Sequence, residues 1–174
     1  TCISVLTDTP SFMGSKEDLG IARNSSPLPL LRKDFFIDPY QVFETKYLGG
    51  DCILIILSML SDSQARELYQ TAQEIELDSI FEVHNENEFE RALSMNAKLI
   101  GINNRNLHTF ETDIRTTVNL APKFSDELII ISESGIYNNT QIKMLREKNV
   151  NAFLVGESII KSDNMTKAIQ DLLD

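Results

Sequence analysis

Seven short runs of nearly unbroken apolar residues divide the chain, and the stretches between them carry helical spacing. The runs are ISVLT from Ile3, PLPLL from Pro27, CILIIL from Cys52, SIFEV from Ser79, KLIGIN from Lys98, LIIIS from Leu128 and AFLVG from Ala152. The intervals read SKEDLGIAR, DPYQVFETKYLGG, SDSQARELYQTAQEIEL, NENEFERALSMN, TTVNLAPKF and NNTQIKMLREKNV. Strands without polar alternation are covered on both faces, and strands alternating with helices form right-handed βαβ units around a parallel sheet. Ser61, Asn85 and Asn138 are placed to cap helix starts, while Gly49, Gly50 and Asn96 stand where helices stop.

Two α/β architectures fit this pattern. An open doubly wound sheet carries a Gly-rich turn after its first strand, and ISVLTDTPSFMGS has neither GxGxxG nor Walker A spacing. A (β/α)8 barrel has eight strands and about 250 residues, against seven runs in 174 residues here. The expectation is one domain over residues 1–174: an incomplete TIM (β/α)8 barrel with about seven of its eight strands. Thr1 and Cys2 lead straight into the first run with no starting methionine, so the chain reads as one entered partway.

With 42% apolar and 24% charged residues the chain can bury a sizeable core. A net charge of −10 without a basic block excludes a nucleic-acid partner, although an anionic small substrate can still bind at a locally positive site. Cys2 and Cys52 have no metal-ligand spacing and read as reduced packing thiols of a cytoplasmic protein. No apolar run approaches the roughly 18 residues of a membrane span, so no membrane partner is expected.

In a (β/α)8 barrel the catalytic groups sit at the carboxyl ends of the strands. Those positions here hold Thr7 and Asp8, Lys33 and Asp34, Glu82 and His84, Asn103, Asn104 and Arg105, Glu133, Ser134 and Gly135, and Gly156, Glu157 and Ser158. Strand alternation puts Lys33 on the face of Leu31, Glu82 on that of Ile80 and Asn103 on that of Gly101, so the three can point to one mouth. Each has a plainer reading: a strand-end lysine is usually a surface charge, His84 a structural or exposed residue, and His108 a solvated loop residue. Asp34 can serve as the partner of Lys33 or of Arg32. Taken together, a lysine and a glutamate facing each other form the paired groups of acid and base catalysis. Gly135 and Gly156 follow the last two strands, where barrel loops commonly bind phosphate through backbone N–H groups. The plainer alternative is a pair of tight turns.

The segments ISVLTD, LRKDFFIDPYQ, FEVHNENE, LIGINNRNL, SESGI and AFLVGES, in this order, resemble the indole-3-glycerol phosphate synthase family of tryptophan biosynthesis. The resemblance implies a cofactor-free, metal-free lyase that closes the indole ring of 1-(2-carboxyphenylamino)-1-deoxyribulose 5-phosphate with loss of carbon dioxide and water. It implies Lys33 as general acid, Glu82 in proton transfer, Asn103 and Ser134 hydrogen-bonding the substrate, and Glu133 in support. Phe35, Leu54, Arg105 and Leu107 are implied around the anthranilate group. The backbone of Gly135, Gly156 and Glu157 is implied at the phosphate of the sugar-phosphate substrate.

The family's first strand carries Glu-x-Lys-x-x-Ser-Pro, with a second catalytic lysine, and this motif does not occur here. The chain is therefore expected to be truncated, to have little activity alone, and to be self-associated or distorted at its exposed strand edges. The competing expectation is a non-catalytic, phosphate-binding remnant of the same barrel. A related isomerase of the pathway is disfavoured by LRKDF and GINNRNL.

Overall fold

The computed structural model describes residues 2–106, 109–121 and 127–174. Seven parallel strands follow one another in chain order with helices between them, the plan of a (β/α)8 barrel that is incomplete. They are β1 (Ile3–Leu6), β2 (Leu30–Lys33), β3 (Cys52–Ile56), β4 (Asp78–Val83), β5 (Leu99–Asn103), β6 (Ile129–Glu133) and β7 (Ala152–Leu154). The helices are α1 (Thr9–Phe12), α2 (Lys16–Ser25), α3 (Pro39–Tyr47), α4 (Asp62–Glu74), α5 (Glu86–Ser94), α6 (Arg115–Leu120), α7 (Asn139–Arg146), α8 (Glu157–Ile160) and α9 (Met165–Leu173). The chain divides into two compact units, residues 1–82 with 91–97 and residues 83–90 with 98–174.

All seven apolar runs form strands, and the largest shift of a starting boundary is at the second. The second begins at Leu30, not Pro27. Pro27 and Pro29 have no N–H to give a ladder, and pairing enters through the Pro29 carbonyl, which accepts from Ile3 N at 2.9 Å. Three helices escaped the sequence reading. Helices α1 and α8 have four residues each, too few for periodicity to register, whereas α9 begins at an Asn164 cap whose side chain accepts from Lys167 N. Ser61 and Asn138 cap α4 and α7 as expected. Gly49 and Asn96 take positive φ at helix ends, 87° and 60°, the conformation that ends a helix by satisfying its last carbonyls. Cys52 is half-buried and Cys2 exposed, both free, so among the described residues Cys2 is not the packing thiol expected.

In the first unit, the register Leu31↔Cys52 and Leu54↔Ile80 sorts side chains onto two faces. One face holds Leu30, Ile53 and Ile55, all fully buried. A cation shares that face. Arg32 is 1% exposed and donates from Nε to Thr7 Oγ1 at 3.0 Å, from Nη2 to Asp34 Oδ2 at 2.8 Å, and from Nη1 to Thr45 Oγ1 and the Gln41 carbonyl. Its Nη1 also lies 2.9 Å from Glu44 Oε2, and the guanidinium stacks over the Phe36 ring at 5.4 Å. Burial pushes the Glu44 carboxyl up, but hydrogen bonds from Lys16 and Arg32 outweigh it and hold the group below its ordinary value. Arg32 thus ties the end of β1, the turn after β2 and helix α3 together. Replacing Arg32 by methionine leaves the buried Asp34 without its cation and Glu44 with Lys16 alone, and Arg32→Met is expected to lower unfolding free energy by about 3 to 5 kcal/mol in urea denaturation.

The start of α5 shows the same economy on a smaller scale. Asn85 Oδ1 accepts from Glu88 N, Asn85 Nδ2 donates to Glu88 Oε1, and Glu88 Oε2 accepts from His84 N at 2.8 Å and sits 3.0 Å from His84 Nδ1. Burial raises the Glu88 carboxyl, and the His84 hydrogen bonds more than compensate, so the group titrates below its ordinary 4.5. A carboxyl depressed by folding contributes stability at pH values above its unfolded pKa, and that stability is lost as pH falls through the folded value. Glu88→Gln is therefore expected to cost about 1 kcal/mol at pH 7. The difference from the parent should shrink in denaturation series run progressively below pH 4.5.

Candidate active site

Arg32 and Lys33 are consecutive in an extended strand, so the pleat sends them to opposite faces. With Arg32 fixed on the helix side, Lys33 emerges on the other. There Lys33 Nζ lies 3.1 Å from Glu82 Oε2, with the lysine side chain 16% exposed and the glutamate 2%. Glu82 is the next-to-last residue of β4, paired in register with Ile56. The register Arg32↔Ile53 brings Leu54 beside Lys33 on this face, and Leu54 is buried. The first unit thus unites three expected site residues: Lys33, Glu82 and Leu54.

Asp34, which had two possible partners, belongs to Arg32. Its Oδ2 also accepts from Thr7 Oγ1 at 2.6 Å, and its Oδ1 accepts from Phe35 N at 2.8 Å. Phe35 is held from the other side by Gln41 Nε2 on its carbonyl, 2.8 Å, and its ring position is half-buried. Lys33 therefore sits between two residues locked to each other, and its backbone has little freedom to turn the ammonium elsewhere.

In the second unit, the register Asn103↔Glu133 and Glu133↔Leu154 places Asn103 and Glu133 side by side on one face. Both are buried, at 7% and 1% exposure. Asn103 Oδ1 accepts from Arg105 N at 3.0 Å, so what this side chain can offer a ligand is N–H donors. Arg105 donates from Nη1 to the Phe110 carbonyl at 3.0 Å and from Nη2 to Glu157 Oε2 at 2.6 Å. Lys161 Nζ takes the other carboxylate oxygen at 2.6 Å. Its hydrogen bond, with that of Arg105, holds the exposed Glu157 carboxyl below its ordinary value. Arg105 and Glu157, expected to serve different parts of a substrate, are thus in direct contact.

Ser134 and Gly135 both have positive φ, 64° and 72°. At Gly135 an added Cβ would also stand 3.3 Å from Thr112 Cβ, so glycine is required there by backbone and neighbour alike. Gly156 differs: its φ is −127°, and an added Cβ would meet nothing within 4 Å. Backbone geometry accounts for the first glycine and leaves the second without a steric reason.

His84, bound to Glu88, has the structural role expected as its plainer reading. Leu107 and His108 lie outside the described residues. Sequence reasoning missed a buried polar network behind β5 and β6. Asn104 Nδ2 donates to Ser132 Oγ at 3.1 Å and to the Ser134 carbonyl at 3.0 Å. Its Oδ1 accepts from Thr117 N and Oγ1 at 3.1 and 2.8 Å. The signal was present in parity: Ser132 interrupts an isoleucine run at the phase of the helix-facing positions, as does Asn104.

No helix among the described residues is long and apolar enough to cross a membrane. Residues 1–172 match the family model for indole-3-glycerol phosphate synthase. The indole-3-glycerol phosphate synthase of Legionella pneumophila (strain Lens) is 46% identical over 172 residues, covering 99% of this chain and 67% of that protein. That of Acinetobacter baumannii (strain AYE) is also 46% identical, covering 98% of this chain and 64% of its own length. The chain spans about two thirds of the length of these relatives. With the polar strand ends and the match running together over nearly every residue, the chain belongs to the indole-3-glycerol phosphate synthase family.

Proposed function

We propose that this chain serves the carbon–carbon lyase chemistry its family is named for, with little turnover of its own: closure of the indole ring of 1-(2-carboxyphenylamino)-1-deoxyribulose 5-phosphate, without a cofactor, releasing carbon dioxide and water. The observation that carries the reading is the Lys33–Glu82 pair, 3.1 Å apart at the ends of two strands. When the aryl carbon attacks the ketose carbonyl, the carbonyl oxygen gains charge and needs a proton. The Lys33 ammonium supplies it as general acid. Glu82 fixes the position of Nζ and takes part in the later proton transfers. Loss of carbon dioxide restores the aromatic ring; the new hydroxyl then takes a second proton and leaves as water while the ring carbon beside the nitrogen gives one up, which completes the indole.

The other roles follow from the family. Asn103 and Ser134 hydrogen-bond the substrate, with Glu133 supporting the site. Phe35, Leu54, Arg105 and Leu107 surround the anthranilate group. The backbone of Gly135, Gly156 and Glu157 binds the phosphate, and the absence of a steric reason for glycine at 156 supports an approach by a ligand there. The setting is the cytoplasm, and the partner is the small phosphorylated substrate.

A second reading is favoured by the coverage of the relatives, of which this chain spans about two thirds: a non-catalytic chain that retains phosphate binding. A ring-closure assay on the 174-residue chain, followed by the absorbance of the indole product, separates the two. Turnover above the uncatalysed rate decides for the enzyme, and Lys33→Met should then lower it about 10²- to 10⁴-fold. A Lys33→Met variant as active as the parent would refute the acid role.

Self-association belongs to the same proposal. Among the described residues β1 pairs with β2 alone and β7 with β6 alone, and unpaired strand edges template pairing with another chain. Sedimentation velocity is expected to show species above the 19.7 kDa monomer that grow with concentration. A monomer at every concentration would contradict it.

A further inference from the structure

We propose that Asn104 is a positioning residue for anion binding: from the helix-facing side of β5 it holds the Ser134–Gly135 turn so that the Gly135 N–H faces the phosphate. The inference rests on the phosphate reading above. Its starting point is that Ser134 bears a side chain and yet has φ of 64°, a conformation such residues avoid because Cβ crowds the backbone. Something must hold it there.

Asn104 is 3% exposed. Its Nδ2 donates to the Ser134 carbonyl at 3.0 Å and to Ser132 Oγ at 3.1 Å, and its Oδ1 accepts twice from Thr117, at 3.1 and 2.8 Å. Thr117 Oγ1 and Ser132 Oγ, 2.9 Å apart, close the network. With both amide hydrogens and the carbonyl oxygen engaged, the carboxamide can neither flip nor swing away. In a trans peptide the C=O and the following N–H point in opposite directions. Tying the Ser134 oxygen inward therefore turns the Gly135 N–H outward, where it meets no acceptor among the described residues. The next two carbonyls are held as well, Gly135 by Gln141 Nε2 at 3.3 Å and Ile136 by Ser158 Oγ at 2.9 Å. Of these anchors Asn104 alone acts on the peptide that contains the Gly135 N–H.

The test compares Asn104→Leu, neutral and similar in size, with Ser132→Ala and Thr117→Val, which disturb the same network but leave the Asn104–Ser134 hydrogen bond intact. Inorganic phosphate is titrated into the isotopically labelled chain while the Gly135 and Gly156 amide resonances are followed, and backbone couplings report the sign of φ at Ser134. All three variants are expected to lower Tm. Asn104→Leu alone should abolish the positive φ at Ser134 and weaken phosphate binding about tenfold or more, as loss of a positioned donor to a charged acceptor implies. If Asn104→Leu does not fold, Asn104→Ser, too short to reach Ser134 but able to give Thr117 a polar partner, is read in the same way. Two results overturn the proposal: a Ser134 that stays left-handed without Asn104, or Ser132→Ala and Thr117→Val variants that lose phosphate as Asn104→Leu does. Should the parent chain bind no phosphate, the phosphate reading falls and with it the functional half of this proposal, while the coupling at Ser134 still shows whether Asn104 sets the turn.

Discussion

A buried guanidinium organises the first unit. Arg32 hydrogen-bonds Thr7, Asp34, Thr45 and the Gln41 carbonyl and lies in ion-pair contact with Glu44, and only a planar fork of five donors reaches so many partners from one position. Lysine would offer a point charge and fewer directions. The desolvation cost of such a group is high, and a well-packed apolar residue can often match it in stability when all partners are replaced together. Its use here is geometric. It fixes the strand end whose next residue is Lys33, and its carboxylate partner Asp34 fixes the residue after.

The consequence for chemistry is positional. An acid catalyst must present its proton within hydrogen-bond reach of the reacting oxygen, and a lysine has a flexible stem that would otherwise sample many positions. Two restraints narrow them. The backbone is held by the flanking Arg32–Asp34 pair, and the ammonium by Glu82 at 3.1 Å. Glu82 is nearly inaccessible, so the pair also places a cation beside a buried carboxylate.

The strands were readable because seven runs of Ile, Leu and Val admit few alternatives, and the residues at their ends because polar groups are costly to bury there without purpose. What the sequence left open was which polar residue answers to which. Asp34 could pair with Lys33 or Arg32, and only the side-chain layer decides it. Glycines at 135 and 156 looked equivalent in SESGI and VGES, yet one has a positive φ and a close neighbour while the other has neither. Arg105 and Glu157 stand 52 positions apart, and no local pattern could have joined them. Helices α1 and α8 are single turns whose formation depends on the loops around them.

The two units solve the same problem by the same device. At the end of β2 the chain places Arg32 beside Lys33, and at the end of β5 it places Asn104 beside Asn103. Because successive side chains in a strand face opposite ways, one member of each couple turns to the helix layer and the other to the opposite face. The helix-facing member is fully hydrogen-bonded: Arg32 to α3, Asn104 to Thr117 of α6. Its neighbour faces the other way on a backbone already fixed. An apolar residue at the helix-facing site would bury more cheaply, but it could not grip a turn at a strand end. Asn104 reaches the Ser134 carbonyl just after β6 and Arg32 reaches Asp34 just after β2, each extending control from a rigid strand into a turn. A polar doublet at the end of an otherwise apolar strand is thus two residues with separate duties, and the pleat determines which is which.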